Sequence, residues 1–209
     1  MVAVKYIPSL KFEREAWRSG ALLVAGVDEV GVGPLAGPVA AGVVALEPGR
    51  KFAWFSDVRD SKVLSAAVRE TLAAQIIDSV PYAIGWASVE EIDRIGILPA
   101  RRLCMLRAIE QLPSAPSAVI SDALDLPLAD VRAVVKADAQ SVSVAAASIV
   151  AKVARDALMV EACERFHGFG FCQNKGYATA DHKRALHRLG PTEIHRKSFA
   201  PVAQKSFGW

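Results

Sequence analysis

Residues 22–38 read Leu-Leu-Val-Ala-Gly-Val-Asp-Glu-Val-Gly-Val-Gly-Pro-Leu-Ala-Gly-Pro. Leu22 to Val27 is an apolar run of the length of a buried strand, and it stops at an adjacent pair of carboxylates, Asp28 and Glu29. Glycine and proline then punctuate the chain as far as Val39, where a second apolar run begins, reaching Leu46 and closing at Glu47-Pro48-Gly49. Two such runs joined by such a turn predict a hairpin. Like charges at a strand end are costly to bury together unless a cation lies beside them, and a divalent metal meets that need. A solvated loop is the other reading. Side chains alternate along a strand, so the turn at Gly31 is expected to re-aim one of the two carboxylates.

Working outward, Ser65 caps a helix predicted to run to Ser79, and Tyr82 to Ala87 reads as a third strand. Ser88-Val89-Glu90-Glu91 is a capping box that starts a short helix, Gly96 breaks it, and Pro99 suits the first turn of the next, to about Leu112. Ala118 to Ser121 and Val131 to Lys136 are further strands, each leading into an aspartate, Asp122 and Asp138. Val142 to Phe166 is the longest helical stretch, rich in alanine and free of Gly and Pro. Thr179 to Leu189 is a helix stopped by Gly190-Pro191, and Glu193 to Phe199 is expected to form one or two helical turns. Early strands followed by mixed strands and helices, without repeats or linkers, give a single α/β or α+β domain.

Of the 209 residues, 52% are hydrophobic and 22% charged, enough for a large core and outside the disordered range. Cys104, Cys163 and Cys172 are few and irregularly spaced, which argues for reduced thiols in a cytoplasmic protein and against a disulfide framework or a thiolate zinc site. Met1 to Lys11 lacks the pattern of a signal peptide, and the longest apolar tracts fall short of the ~20 residues that span a bilayer. The net charge of +3 is uneven: Lys175 to Trp209 carries +5 and the remainder −2. A basic C-terminal segment suits a polyanion, and a solvated helix face accounts for it equally.

Asp28, Glu29, Asp122 and Asp138 converging on one sheet edge would form an oxygen cage suited to Mg²⁺ or Mn²⁺ rather than zinc. The glycine-rich turn Gly31-Val32-Gly33 is neither a dinucleotide fingerprint nor a P-loop. It reads either as a strained hairpin connection or as backbone N–H groups open to a phosphate or sugar. Asp60-Ser61-Lys62 and Lys175-Gly176-Tyr177 place cations and hydroxyls beside turns, as phosphate contacts do. On the long helix, Ser148, Lys152 and Arg155 form a polar stripe expected to face solvent. His167, His182, His187 and His195 show no metal spacing and are expected to be solvated or to meet phosphate.

Together these segments resemble the ribonuclease HII family. The family opening Gly-Val-Asp-Glu-x-Gly-Arg-Gly-Pro-Leu-x-Gly-Pro corresponds to Gly26–Pro38, and Asp-Ser-Lys-x-Leu-Ser to Asp60–Ser65. Ala-Ala-Ser-Ile-x-Ala-Lys-Val-x-Arg-Asp corresponds to Ala146–Asp156, Lys-Gly-Tyr-x-Thr-x-x-His to Lys175–His182, and His-Arg-x-Ser-Phe-x-Pro-Val to His195–Val202. The resemblance implies a ribonuclease H-like fold, a mixed five-stranded sheet flanked by helices, with residues 178–209 a basic helical C-terminal extension on a single domain. It implies Asp28, Glu29, Asp122 and Asp138 as catalytic metal ligands for Mg²⁺ or Mn²⁺, with two ions about 4 Å apart acting as a clamp. It further implies substrate contacts by Gly31, Val32, Gly33, Ser61, Lys62, Tyr177, Lys183 and Arg184. The implied reaction is hydrolysis of RNA in RNA–DNA hybrids and 5′ to ribonucleotides embedded in duplex DNA, leaving 3′-hydroxyl and 5′-phosphate ends. The implied setting is a cytoplasmic monomer in DNA replication and repair, with a sliding clamp as a partner for the C-terminal tail.

Three departures stand out. Val32 replaces the family arginine of the Gly-Arg-Gly loop, Ala123 follows Asp122 where glycine is common, and Ala137 and Ala139 flank Asp138 where glycine and serine are common. An alanine beside a ligand shifts its aim where the backbone needs positive φ. The alternative function is therefore a non-catalytic or weakened hybrid-binding protein. Four retained carboxylates facing a polyanion favour the enzyme.

Overall fold

The computed structural model describes residues 7–206. Five strands, β1 (Val24–Val30), β2 (Val39–Leu46), β3 (Tyr82–Ala87), β4 (Ala118–Asp122) and β5 (Val131–Val134), form one sheet in the order β3-β2-β1-β4-β5. β1–β2 and β2–β3 pair antiparallel, β1–β4 and β4–β5 parallel, so the sheet is mixed as expected. The helices are α1 (Lys11–Arg18), α2 (Ala66–Ser79), α3 (Val89–Ile95), α4 (Ile97–Glu110), α5 (Val142–Arg165), α6 (Phe171–Asn174), α7 (Ala180–Leu189) and α8 (Ala200–Ser206). None is long and apolar enough to cross a membrane.

Every residue of β2 is buried, because both faces of the sheet are covered. On one face Ala25, Val27, Ala41 and Val43 pack against Cys104, Met105 and Ala108 of α4. On the other, Val44 and Leu46 pack with Ala146, Ile149 and Val150 of α5 and with Leu72 and Ile76 of α2. Helix α5 lies almost on the strand backbone: a Cβ on Gly42 would sit 2.2 Å from the Ala147 carbonyl oxygen, and one on Gly26 2.3 Å from the Ser143 carbonyl carbon. Only glycine admits that approach. The N-terminal half of α5 is consequently buried all round, which is why its sequence shows an apolar tract rather than an amphipathic stripe. Its start is capped by Ser141 and held by Glu13 of α1, whose buried carboxylate accepts from the Ser141 and Ser143 hydroxyls and the Ser143 N–H.

Several expectations are corrected. Glu193 to Phe199 is not helical. It runs as turns that form a β-bridge from His195 to Ala36, and the last helix begins at Ala200. Cys163 and Cys172 form a disulfide, because the chain reverses after α5 and brings α6 back with the two Cα atoms 5.4 Å apart. Cys104 alone stays a buried free thiol, its pKa pushed up to about 12 by burial. α7 and α8 pack on the C-terminal half of α5, where Leu35, Met159, Phe171, Leu186 and Val202 share one cluster.

Ala123 adopts φ +56° directly after Asp122, a left-handed conformation that costs alanine about 1 kcal/mol relative to glycine. Ala123→Gly should raise the melting temperature by roughly 2–4 °C in a thermal scan, a chain of this size gaining about that per kcal/mol. An unchanged or lower value would show that the strain is relieved elsewhere.

Candidate active site

Asp28 and Glu29 are both within β1, paired with Gly42 and Ala41, and strand alternation continues through them. The expected re-aiming at Gly31 does not occur. Asp28 faces α5, where the Ser148 hydroxyl favours its charged form, and Glu29 faces α4, where Arg101 lies 2.5 Å from Oε1. Arg101 carries no motif and was not anticipated; its only sequence signal is a cation in the second turn of a helix whose other face is apolar. Asp122 ends β4 beside β1, and its Oδ1 accepts the Ala137 N–H at 2.8 Å, fastening the 3₁₀ turn Ala137–Ala139 that carries Asp138. The four carboxylates thus come from two adjacent strand ends and the turn that follows β5.

Their electrostatics are those of crowded like charges. Burial, then the neighbouring Glu29, Asp122 and Asp138, hold the Asp28 carboxyl well above the usual carboxylate range. Burial also raises Glu29, against the pull of Arg101, and burial with Asp122 and Asp60 raises Asp138. One protein cation stands at the open side: the Lys62 ammonium is 3.7 Å from Asp138 and is exposed. Desolvation works against its charge, but Asp60, Asp138, Asp28 and Asp122 outweigh that and hold its pKa up.

Among the described residues no three acidic, histidine or cysteine side chains are gathered around one ion-sized point. Each carboxylate is instead held by a protein partner: Asp28 by Ser148 and the Glu29 N–H, Glu29 by Arg101, Asp122 by Ala137, Asp138 by Lys62. The donor set is nonetheless all oxygen, and Glu29 Oε2 is buried without a partner. Hard divalent cations fit those donors, and their charge would offset the repulsion that raises these pKa values.

The remaining candidates fall into two groups. Val32, Gly33, Lys62, Tyr177, Lys183 and Arg184 all retain exposed surface, with Arg184 ion-paired to Asp181. Ser61 and Gly31 are buried. The Ser61 hydroxyl meets Ser148 at 2.9 Å, so it faces the support of Asp28 rather than open surface. Lys152 lies 5.7 Å from the Tyr177 ring, and the two line one groove with Arg69, Asp156 and Lys175. The polar stripe of α5 is therefore not a solvated face: Ser148 and Arg155 are buried and Lys152 is half-buried.

Two histidines expected to be solvated are also buried. His182 and His195 face each other with Nε2 atoms 3.1 Å apart. The Thr192 N–H donates to His195 Nδ1, so His195 Nε2–H donates to His182, which leaves His182 Nδ1–H to donate to the Tyr177 carbonyl at 2.8 Å. Both imidazoles are neutral in this wire, and burial, with His182 adding repulsion, lowers the His195 pKa to about 4.

The raised Asp28 pKa gives a signed expectation. Folding favours its protonated form, so that contribution to stability is complete below about pH 4 and is lost as pH rises through the raised value. Asp28→Asn should melt a few degrees above the natural protein in metal-free buffer at pH 8, and the gap should shrink towards pH 4. A gap independent of pH would remove Asp28 ionisation from the stability balance.

A family model described as ribonuclease HII matches residues 25–202. A ribonuclease HII of Cereibacter sphaeroides is 50% identical over 198 residues, covering 93% of this chain and 92% of that protein. Among solved structures, the ribonuclease H2 of Pyrococcus horikoshii superposes with a TM-score of 0.74 at 29% identity, covering 88% of this chain and 97% of that one. The ribonuclease HII of Archaeoglobus fulgidus, solved in a complex with PCNA, gives 0.71 at 28% identity over 84% and 94%. With Asp28, Glu29 and Asp122 on the two strands where the sheet turns from antiparallel to parallel pairing, this chain belongs to the ribonuclease HII family.

Proposed function

We propose that this protein is a divalent-metal-dependent endonuclease that hydrolyses the RNA strand of RNA–DNA hybrids and cuts 5′ to ribonucleotides embedded in duplex DNA, leaving 3′-hydroxyl and 5′-phosphate ends. The observation that carries the reading is the set of four carboxylates brought to one sheet edge, with Asp28, Glu29 and Asp138 raised by burial and by carboxylate neighbours. A site of that charge is a poor place for a phosphodiester unless cations stand between them.

Asp28, Glu29, Asp122 and Asp138 are the proposed catalytic metal ligands, for Mg²⁺ or Mn²⁺. Bound ions would supply a nucleophile at neutral pH and offset the charge that develops on phosphorus and on the leaving 3′-oxygen. The chain's own residues do the rest. Ser61 and Ser148 orient Asp28, Arg101 holds Glu29, and the Ala137 N–H fixes Asp122. Lys62 brings a cation to the open side of the cage. The Gly31-Val32-Gly33 backbone and the exposed Tyr177 ring receive the ribose and the junction phosphate, and Lys183 and Arg184 of α7 meet the duplex backbone. Residues 178–209 are a basic C-terminal extension of a single domain, with α7 and α8 as its helices among the described residues, and the protein is a cytoplasmic monomer. The PCNA complex of the Archaeoglobus fulgidus enzyme supports a clamp contact for the tail, whose aromatic end, Phe207 to Trp209, lies outside the described residues. Nothing in the site favours the non-catalytic alternative.

The test is cleavage of labelled duplexes with Mg²⁺ or Mn²⁺. The natural protein should cut an RNA–DNA hybrid, and Asp122→Asn should reduce kcat/KM by more than about a hundredfold, since loss even of an outer partner of a metal site costs 10–100-fold. Full activity in that variant would remove Asp122 from the mechanism. Val32 supplies no charge-assisted phosphate contact, a contact that contributes about 1.5–3 kcal/mol when well formed. Val32→Arg should therefore improve cleavage at a single embedded ribonucleotide by about tenfold or more, and improve an all-RNA strand less. An arginine variant that gains nothing on either substrate would show that the side chain at position 32 does not limit the reaction.

A further inference from the structure

Arg155 and Arg196 are fully buried, yet all six of their hydrogen bonds go to backbone carbonyls. Neither forms an ion pair among the described residues. Arg196 donates from Nη2 to Gly31 O at 2.6 Å, from Nη1 to Val32 O at 2.9 Å and from Nε to Gly37 O at 2.9 Å. Arg155 donates to Pro38 O at 2.9 Å, and to Ala36 O and Lys175 O at 3.1 Å. Two buried like charges without a counter-ion are a poor device for stability, since apolar side chains of similar volume commonly serve as well or better. Burial lowers both pKa values, Arg196 to about 9 with Arg155 adding repulsion.

What the two forks do achieve is orientation. In a trans peptide the N–H points opposite to the C=O. With the Gly31 and Val32 carbonyls turned in to Arg196, the Val32 and Gly33 N–H groups point away from it, and neither finds an acceptor among the described residues. Gly31 has φ +89°, and a Cβ there would sit 2.1 Å from Arg155 Nε, so the conformation and the space both belong to this packing. Arg155 also grips the Lys175 carbonyl while the Leu35 N–H donates to Gly176 O at 2.8 Å, tying the Tyr177 segment to the same loop. The β-bridge from Ala36 to His195 delivers Arg196 to it from the C-terminal side.

We propose that Arg155 and Arg196 are positioning residues for ribonucleotide recognition: their forks lock the Gly31–Gly33 peptides with the Val32 and Gly33 N–H groups facing the nucleic acid, and join them to Tyr177 as one rigid reader. This rests on the function proposed above. A side chain at position 32 is then dispensable to the reader's shape, because the shape is imposed from beneath.

The test compares Arg196→Lys and Arg155→Lys with the natural protein on two duplexes, one with a single ribonucleotide in DNA and one with an all-RNA strand. A lysine keeps the charge but cannot fork between two carbonyls. Arg196→Lys should lower kcat/KM at the single ribonucleotide by tenfold or more and on the all-RNA strand by threefold or less, with Arg155→Lys showing the same bias. Equal losses on both duplexes, or no loss in a folded variant, overturn the proposal. If the variants do not fold, hydrogen exchange on the natural protein decides it: an uncleaved hybrid held with Ca²⁺ should slow exchange at the Val32 and Gly33 amides, and unchanged exchange there overturns it. A natural protein that cuts neither duplex overturns the underlying function and this proposal with it.

Discussion

Helix α5 rests on the backbone of β1 and β2 at Gly26 and Gly42, and the site depends on that contact. The close approach places Ser148 against Asp28 and, two turns further on, Arg155 beneath the loop that follows β1. Glu13 fixes the other end of the helix through Ser141 and Ser143, next to the turn that carries Asp138. One helix thus sets the depth of a carboxylate, the posture of the loop after β1 and the position of the Lys175–Tyr177 segment. A methyl group on either glycine would lift all three together.

The second constraint is charge. Burial and carboxylate neighbours raise Asp28, Glu29 and Asp138, and the protein answers only in part, with Arg101 on Glu29 and the exposed Lys62 near Asp138. Neutralisation by the protein's own cations is partial, which suits the divalent ions proposed for the site. The buried arginines solve a different problem with the same chemistry: their charge is spent on carbonyl dipoles, holding backbone rather than balancing acid.

Much of this was legible in the chain. The strand before Asp28, β2 from Val39 to Leu46, β3, the Ser88 capping box and the span of α5 all follow from local apolar runs and caps, since those signals lie within a few residues of what they specify. What escaped depends on residues far apart in sequence. Helix α1 is eight residues long, and its purpose is the buried Glu13, 128 residues from Ser141. The Cys163–Cys172 pair needed the reversal into α6, which a count of cysteines cannot convey. His182 and His195 read as surface residues because their partner is each other. Arg155 read as part of a solvated stripe because carbonyl partners leave no trace in side-chain chemistry. The segment Glu193 to Phe199 carries helix-compatible residues, but its backbone is taken by the Ala36 bridge.

On the proposed function, divalent cations complete the four carboxylates that β1, β4 and the turn after β5 bring to one edge of the sheet. The most direct measurement is anomalous diffraction from crystals of the protein with Mn²⁺ and an uncleavable hybrid duplex. Anomalous density bounded by Asp28, Glu29, Asp122 and Asp138 is expected, with the Val32 and Gly33 amides against the nucleic acid. Manganese bound elsewhere, or density that leaves Asp28 and Asp122 without an ion, would contradict it.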